Sequence, residues 1–63
     1  MKPVKTLTAL EVKPGMTIQL SDGKSFPVKE ARTYDLDGHE VIIEAVSGYT
    51  VVLGASTAVT QWE

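Results

Sequence analysis

Cysteine is absent from the 63 residues, which removes a disulfide framework and a thiolate metal site as means of support. No apolar run approaches the roughly 20 residues of a membrane span, and the opening Met-Lys-Pro-Val-Lys lacks the apolar segment of a signal peptide. A soluble, cytoplasmic protein with no membrane partner is the expectation. Histidine occurs once, at His39, beside Gly38 and with no thiol to pair with, so acid–base catalysis has almost nothing to build on. Basic residues are missing from the second half: Lys2, Lys5, Lys13, Lys24, Lys29 and Arg32 all lie in the first 32 positions, and residues 33–63 carry five acids instead. The halves hold formal charges of +3 and −5 within a net −2, which gives either interleaved charge in a compact fold, or a basic face for a polyanion or an acidic partner, or head-to-tail contacts between copies. A chain this short buries only about 60% of its unfolded surface, so a closed barrel or self-association has to support the thin core.

What is present in quantity is β-branched sequence. The run Glu40 to Leu53 is the richest such stretch and contains its own turn, Val46-Ser47-Gly48. A three-residue loop there, with Gly48 left-handed, sets Ala45 opposite Tyr49, Ile43 opposite Val51 and Val41 opposite Leu53, all apolar. The other face takes Ile42 with Val52 and Glu44 with Thr50. A slip of one residue would mix the clean face, so the register is well specified.

The preceding chain reads as a meander into that hairpin. Val4 to Thr8 forms a first strand, and Thr8-Ala9-Leu10-Glu11 has capping-box spacing for a single helical turn before Pro14. Lys13-Pro14-Gly15-Met16 suits a type II turn. Met16 to Leu20 alternates as a strand, and Ser21-Asp22-Gly23 repeats the loop device, pairing Ile18 with Phe26 and Met16 with Val28. Pro27 belongs at an edge, a bulge or a place turned away from the ladder. From Lys24 to Tyr34 the inward parity changes, since Phe26 and Val28 fit one register and Ala31 and Thr33 the next, which requires a bulge near Lys29 and Glu30. Leu36-Asp37-Gly38 is a third loop that sets Thr33 against Val41 and Ala31 against Ile43. A short turn over residues 54–58 then leads to a last strand, Val59 to Trp62, whose remaining partner is the N-terminal strand. The prediction is an all-β domain over residues 1–63, a small closed or nearly closed barrel of five to six short antiparallel strands.

Val12-Lys13-Pro14-Gly15-Met16-Thr17-Ile18, the Ser21-Asp22-Gly23 turn, the bent strand to Tyr34 and the short turn before Val59 resemble an SH3-like small β-barrel. The pattern is also similar to the very small accessory proteins of actinobacterial bacteriophages. That resemblance implies an accessory factor that binds a host or viral protein in the host cytoplasm. Ile18-Gln19-Leu20-Ser21-Asp22-Gly23 before a long curved strand resembles the Sm-like barrels. The chain lacks their longer N-terminal helix and their Asp-to-Asn RNA-binding signature, so no RNA-binding residue is carried over.

Functional candidates follow from what the turns do not explain. The glycines are turn residues with no phosphate-cradling spacing. Asp35, Asp37 and His39 alternate through one loop but lack the further ligands of a calcium site. Neither a metal nor another cofactor is expected. Tyr49 falls on the core face, whereas Trp62 either covers a barrel end or joins a binding surface. Ile42, Val46 and Val52 group on the outer face, and with Trp62 they form the expected protein-interaction surface, for a protein partner or for a second copy in a homo-oligomer. The alternative is a nucleic-acid-binding barrel using Lys13, Lys24, Lys29 and Arg32. Both readings are non-catalytic.

Overall fold

Glycine-closed turns fold the middle of the chain into antiparallel hairpins. Gly48 has φ +98° and donates its amide to Ala45 at 2.9 Å, while the Ala45 amide donates to the Tyr49 carbonyl at 2.7 Å. Gly23 has φ +95° and repeats the pattern, donating to Leu20 at 3.0 Å as the Leu20 amide donates to Lys24 at 2.7 Å. A side chain at either position would have to enter the left-handed region, which glycine reaches freely. The turn at Lys13–Met16 carries Gly15 at φ +91° and a Met16 amide donating to Lys13 at 3.3 Å, the type II geometry that Pro14-Gly15 favours.

The computed structural model describes residues 2–34 and 36–63. Among them are six strands, β1 (Pro3–Thr8), β2 (Thr17–Gln19), β3 (Ser25–Thr33), β4 (Glu40–Ala45), β5 (Thr50–Gly54) and β6 (Ala58–Trp62), with one 3-10 turn at Ala9–Glu11. They form one antiparallel sheet in the order β1-β6-β2-β3-β4-β5. The all-β class and the register of every hairpin agree with the sequence. Ile43 faces Val51 and Val41 faces Leu53, Ile18 faces Phe26, and Ala31 and Thr33 face Ile43 and Val41. The third turn is closed by the Tyr34 amide donating to Glu40 at 2.8 Å. Asp35, at its near side, lies outside the described residues.

The change of parity in β3 comes from a single extra residue. Val28 faces Ala45 but Glu30 faces Glu44, so Lys29 is the bulge. Val28 is therefore buried before it and Ala31 turns inward after it. Pro27 sits where β4 has already ended, and its carbonyl accepts the amide of Val46 from the loop at 3.0 Å. By the alternation of the ladder its missing donor falls on that side, where no strand acceptor is left waiting.

Two expectations need correction. The last strand pairs with β1 as foreseen, but it also pairs with β2, because it inserts between them. The barrel does not close: among the described residues β1 and β5 end the sheet, each with a strand partner on one side alone. The sheet is strongly curled nonetheless, for a reason visible in the connectivity. Strand spacings of about 4.8 Å would set β5 about 19 Å from β6 in a flat sheet. The link from Gly54 to Ala58 reaches only about 14 Å. Curling removes the difference and places the residue 55–57 turn against the 3-10 turn and the residue before β4. There the Ala9 amide donates to Thr57 at 2.8 Å, Leu10 to Ala55 at 3.3 Å and Ala55 to His39 at 2.7 Å.

The core fills the inside of this curl with Leu7, Ala9, Val12, Ile18, Leu20, Phe26, Val28, Val41, Ile43, Ala45 and Val59. Ala9 is fully buried because the 3-10 turn folds inward. Its first residues are held by Glu11, whose Oε1 accepts the Thr8 amide at 3.0 Å and the Thr8 hydroxyl at 3.1 Å. The Thr8 amide bond, then the hydroxyl, then the nearby charge of Lys5, hold the Glu11 carboxyl below the ordinary glutamate range. No helix is long and apolar enough to cross a membrane among the described residues.

Candidate protein-interaction face

Parity decides which side chains the outer face of β3, β4 and β5 presents. Arg32, Ile42 and Val52 lie in one row across the three strands, and Glu30, Glu44 and Thr50 in the next. Ile42 is half-buried between its neighbours and Val52 is 45% exposed. Cross-strand β-branched pairs of this kind stabilise the sheet even when one face stays wet. Glu30 and Glu44 stand directly opposite each other, a like-charge pair that opposes folding. Arg32 Nη1 approaches Glu30 Oε1 at 3.4 Å and offsets part of that repulsion. Both side chains are more than half exposed, so the pair itself contributes little. The apolar stripe is thus bounded by Arg32 at one end and by Glu30, Glu44 and Glu40 along its flanks.

The other two predicted contact residues belong to a second row. Val46 is 64% exposed at the loop tip, bonded through its amide to Pro27. Pro27 faces Thr17, Thr17 faces Trp62 and Trp62 faces Pro3. Trp62 is half-buried and its Nε1 donates to Gln19 Oε1 at 3.0 Å, which fixes the indole on the sheet rather than over a barrel end. The structure therefore joins Ile42 with Val52, and Val46 with Trp62 through Pro27. It separates the two pairs by Glu44 and the Lys29 bulge.

The basic candidates do not form one stripe. Lys24, Lys29 and Arg32 lie along β3 and its leading turn, with about 16 Å and about 10 Å of strand between them at the usual rise. The turn that carries Lys13 is bonded to β3 just before the Lys29 bulge, the Gly15 amide donating to Val28 at 3.0 Å. Lys24 is engaged elsewhere. Its Nζ stands 5.2 Å from the centre of the Tyr49 ring, and Tyr49 packs edge-on to Phe26 at 5.4 Å with the rings 68° apart.

The groove that this cluster lines is what the sequence reading missed. Tyr49 is on the core side, against buried Phe26, but at the rim: it is 38% exposed and lines an open groove of about 330 Å³ with Lys24, Ser25, Phe26 and Ser47. A signal was present: Lys24 and Tyr49 each follow the glycine of an equivalent three-residue turn, so both project from the same kind of place. His39 gives its backbone carbonyl to the residue 55–57 turn, and Asp37 is exposed in the loop before it. Among the described residues no three His, Cys, Asp or Glu side chains are grouped to hold a metal. Asp35 of the loop triplet is outside them.

No family model matches the chain, and neither a curated protein nor a solved structure matches it. Fold and face together define a small all-β domain whose sheet ends at β1 and β5 and carries a bounded apolar outer stripe.

Proposed function

We propose that this domain is a non-catalytic protein-interaction module, its curled sheet an open variant of an SH3-like barrel. It binds a protein partner through the Ile42–Val52 stripe. The observation that carries this reading is the stripe itself: adjacent β-branched side chains in one row of the outer face, one of them almost half exposed. Isolated apolar residues on a surface need no explanation, but a paired row with charged flanks has the anatomy of a contact patch. The flanking Glu30, Glu40 and Glu44 select a partner whose apolar side chains are accompanied by Lys or Arg. Such flanks act mainly on association rate and specificity.

The test is capture from a lysate of the source cells, with and without nuclease, by the wild type and by Ile42→Glu. A discrete protein retained after nuclease and lost with a folded Ile42→Glu supports the reading. Equal capture by both refutes it. Capture lost with nuclease, and falling steeply with salt, would transfer the function to nucleic acid at Lys13, Lys24, Lys29 and Arg32.

A further inference from the structure

The two edges of the sheet are built differently. β1 carries Pro3, which has no amide proton, and a register shift between Pro3 and Lys5. Lys2 and Lys5 flank that shift, and the Thr8 amide is already given to Glu11. These are the devices by which natural sheets prevent further pairing. β5 has less of this: of its outward groups only the last, the Gly54 carbonyl, is already engaged, accepting the Thr57 amide at 2.9 Å. Thr50-Val51-Val52-Leu53-Gly54 contains no charge and no proline, and pairs with β4 without a register shift. The Tyr49 carbonyl accepts from Ala45, so alternation along the ladder turns the amides and carbonyls of Val51 and Leu53 toward β4. Those of Thr50 and Val52 then point outward, to where the sheet ends.

We propose that β5 is a self-complementary edge at which a second copy of this chain adds its own β5 antiparallel, with Val52 on the two-fold axis. The inference rests on reading the Ile42–Val52 stripe as a contact surface, and it extends that surface. With Val52 facing itself, Thr50 falls opposite Gly54 and Val51 opposite Leu53. The outer face then carries an unbroken apolar row, Ile42–Val52–Val52–Ile42, across both copies. Val51 and Leu53, half-buried in one copy, gain apolar neighbours on the inner side. A shift that put Val51 on the axis would set Val52 beside Thr50 and break the outer row.

Electrostatics do not oppose this pairing. β5 is uncharged, and Glu44 of one copy lies about three strand spacings, or about 14 Å, from Glu40 of the other, beyond the Debye length of about 8 Å at physiological salt. Isologous pairing closes on itself and leaves β1 as the guarded edge at each end, so assembly stops at two copies. Five residues per chain bury less than the roughly 1,200 Å² at which stable interfaces begin. The dimer is accordingly weak and concentration-dependent.

Sedimentation equilibrium from about 10 μM to about 1 mM, the range of weak affinities, tests the proposal. Wild type should rise toward twice the monomer mass. Val52→Pro deletes one outward amide and no bond to β4, and should stay monomeric with an unchanged circular dichroism spectrum. If that variant does not fold, Val52→Lys, which places two like charges on the axis, decides the same question. Because the chain has no cysteine, Val52→Cys supplies a single thiol that should give a disulfide dimer on mild oxidation, whereas Val51→Cys should not. A wild type that stays monomeric throughout, a Val52→Lys variant that dimerises as well as wild type, or cross-linking through position 51 instead of 52 would overturn the proposal. Partner capture that needs Ile42 in a strictly monomeric protein overturns the edge alone. A dimer whose Ile42→Glu variant retains its partner overturns only the proposed function.

Discussion

Ile42 and Ile43 are neighbours in sequence with the same side chain, and the register of β4 gives them opposite fates. Ile43 has 0% exposure and stands between Ala31 and Val51. Ile42 is on the outer face between Arg32 and Val52. Truncating a buried isoleucine to alanine costs about 2–5 kcal/mol, the transfer term plus the cavity left behind. A 63-residue domain has a total stability of about 3–9 kcal/mol. Ile43→Ala therefore removes a third or more of it and lowers the melting temperature by about 12–24 °C for a loss of about 3 kcal/mol. Ile42→Ala loses only part of the burial of a half-covered side chain and some strand preference, about 1 kcal/mol. Urea unfolding of both variants, at about 10 μM or below to keep the chains monomeric, measures the two losses side by side. Equal losses, or a larger one at Ile42, would mean that β4 is one residue out of register and would refute the assignment of both faces.

Two further predictions concern the turns. Gly48→Ala, where a Cβ would meet nothing within 4 Å at φ +98°, should lose about 1–2 kcal/mol purely from the backbone conformation. Asn at the same position should recover part of it, and thermal melts of both variants check this. The Glu11 carboxyl titrates lower in the folded chain than in the unfolded one, so within that window the unfolded chain holds more protons. Its stabilising contribution is present above the ordinary glutamate value and is lost as pH falls through the depressed one. Glu11→Gln should flatten this acid limb, and melting temperatures of both proteins that keep the same acid slope would contradict it.

How much of this was legible in the sequence depended on how far apart in the chain the partners lie. The hairpin from Glu40 to Leu53 could be read to the residue because its turn, its alternation and its apolar pairs are local and agree. The bulge at Lys29 was legible for the same reason, since Phe26 and Val28 cannot share a face with Ala31 unless one residue is skipped. The insertion of β6 between β1 and β2 was not legible. Val59 to Trp62 shows only that a strand exists, and its neighbours are chosen by the packing of the whole curl. The candidate site divides along the same line. Ile42 and Val52 meet within one hairpin, whereas Val46 and Trp62 share a row only because β6 took that place. The groove at Lys24 and Tyr49 joins two turns 25 residues apart, and the parity of one strand gives the side that Tyr49 faces but not how far it is covered.

Residues 2 and 63 lie side by side: the Lys2 amide donates to the Glu63 carbonyl at 2.8 Å and the Glu63 amide to Lys2 at 2.9 Å. A ladder in which these two positions form one hydrogen-bonded pair can be cut and rejoined there. A short linker between residues 63 and 2 would make a circular chain, or a permutant opened at the Ser47 turn, without asking any strand to move. The same geometry lets the whole domain be spliced into a surface loop of another protein, entering and leaving through a single gap with β5 still facing outward.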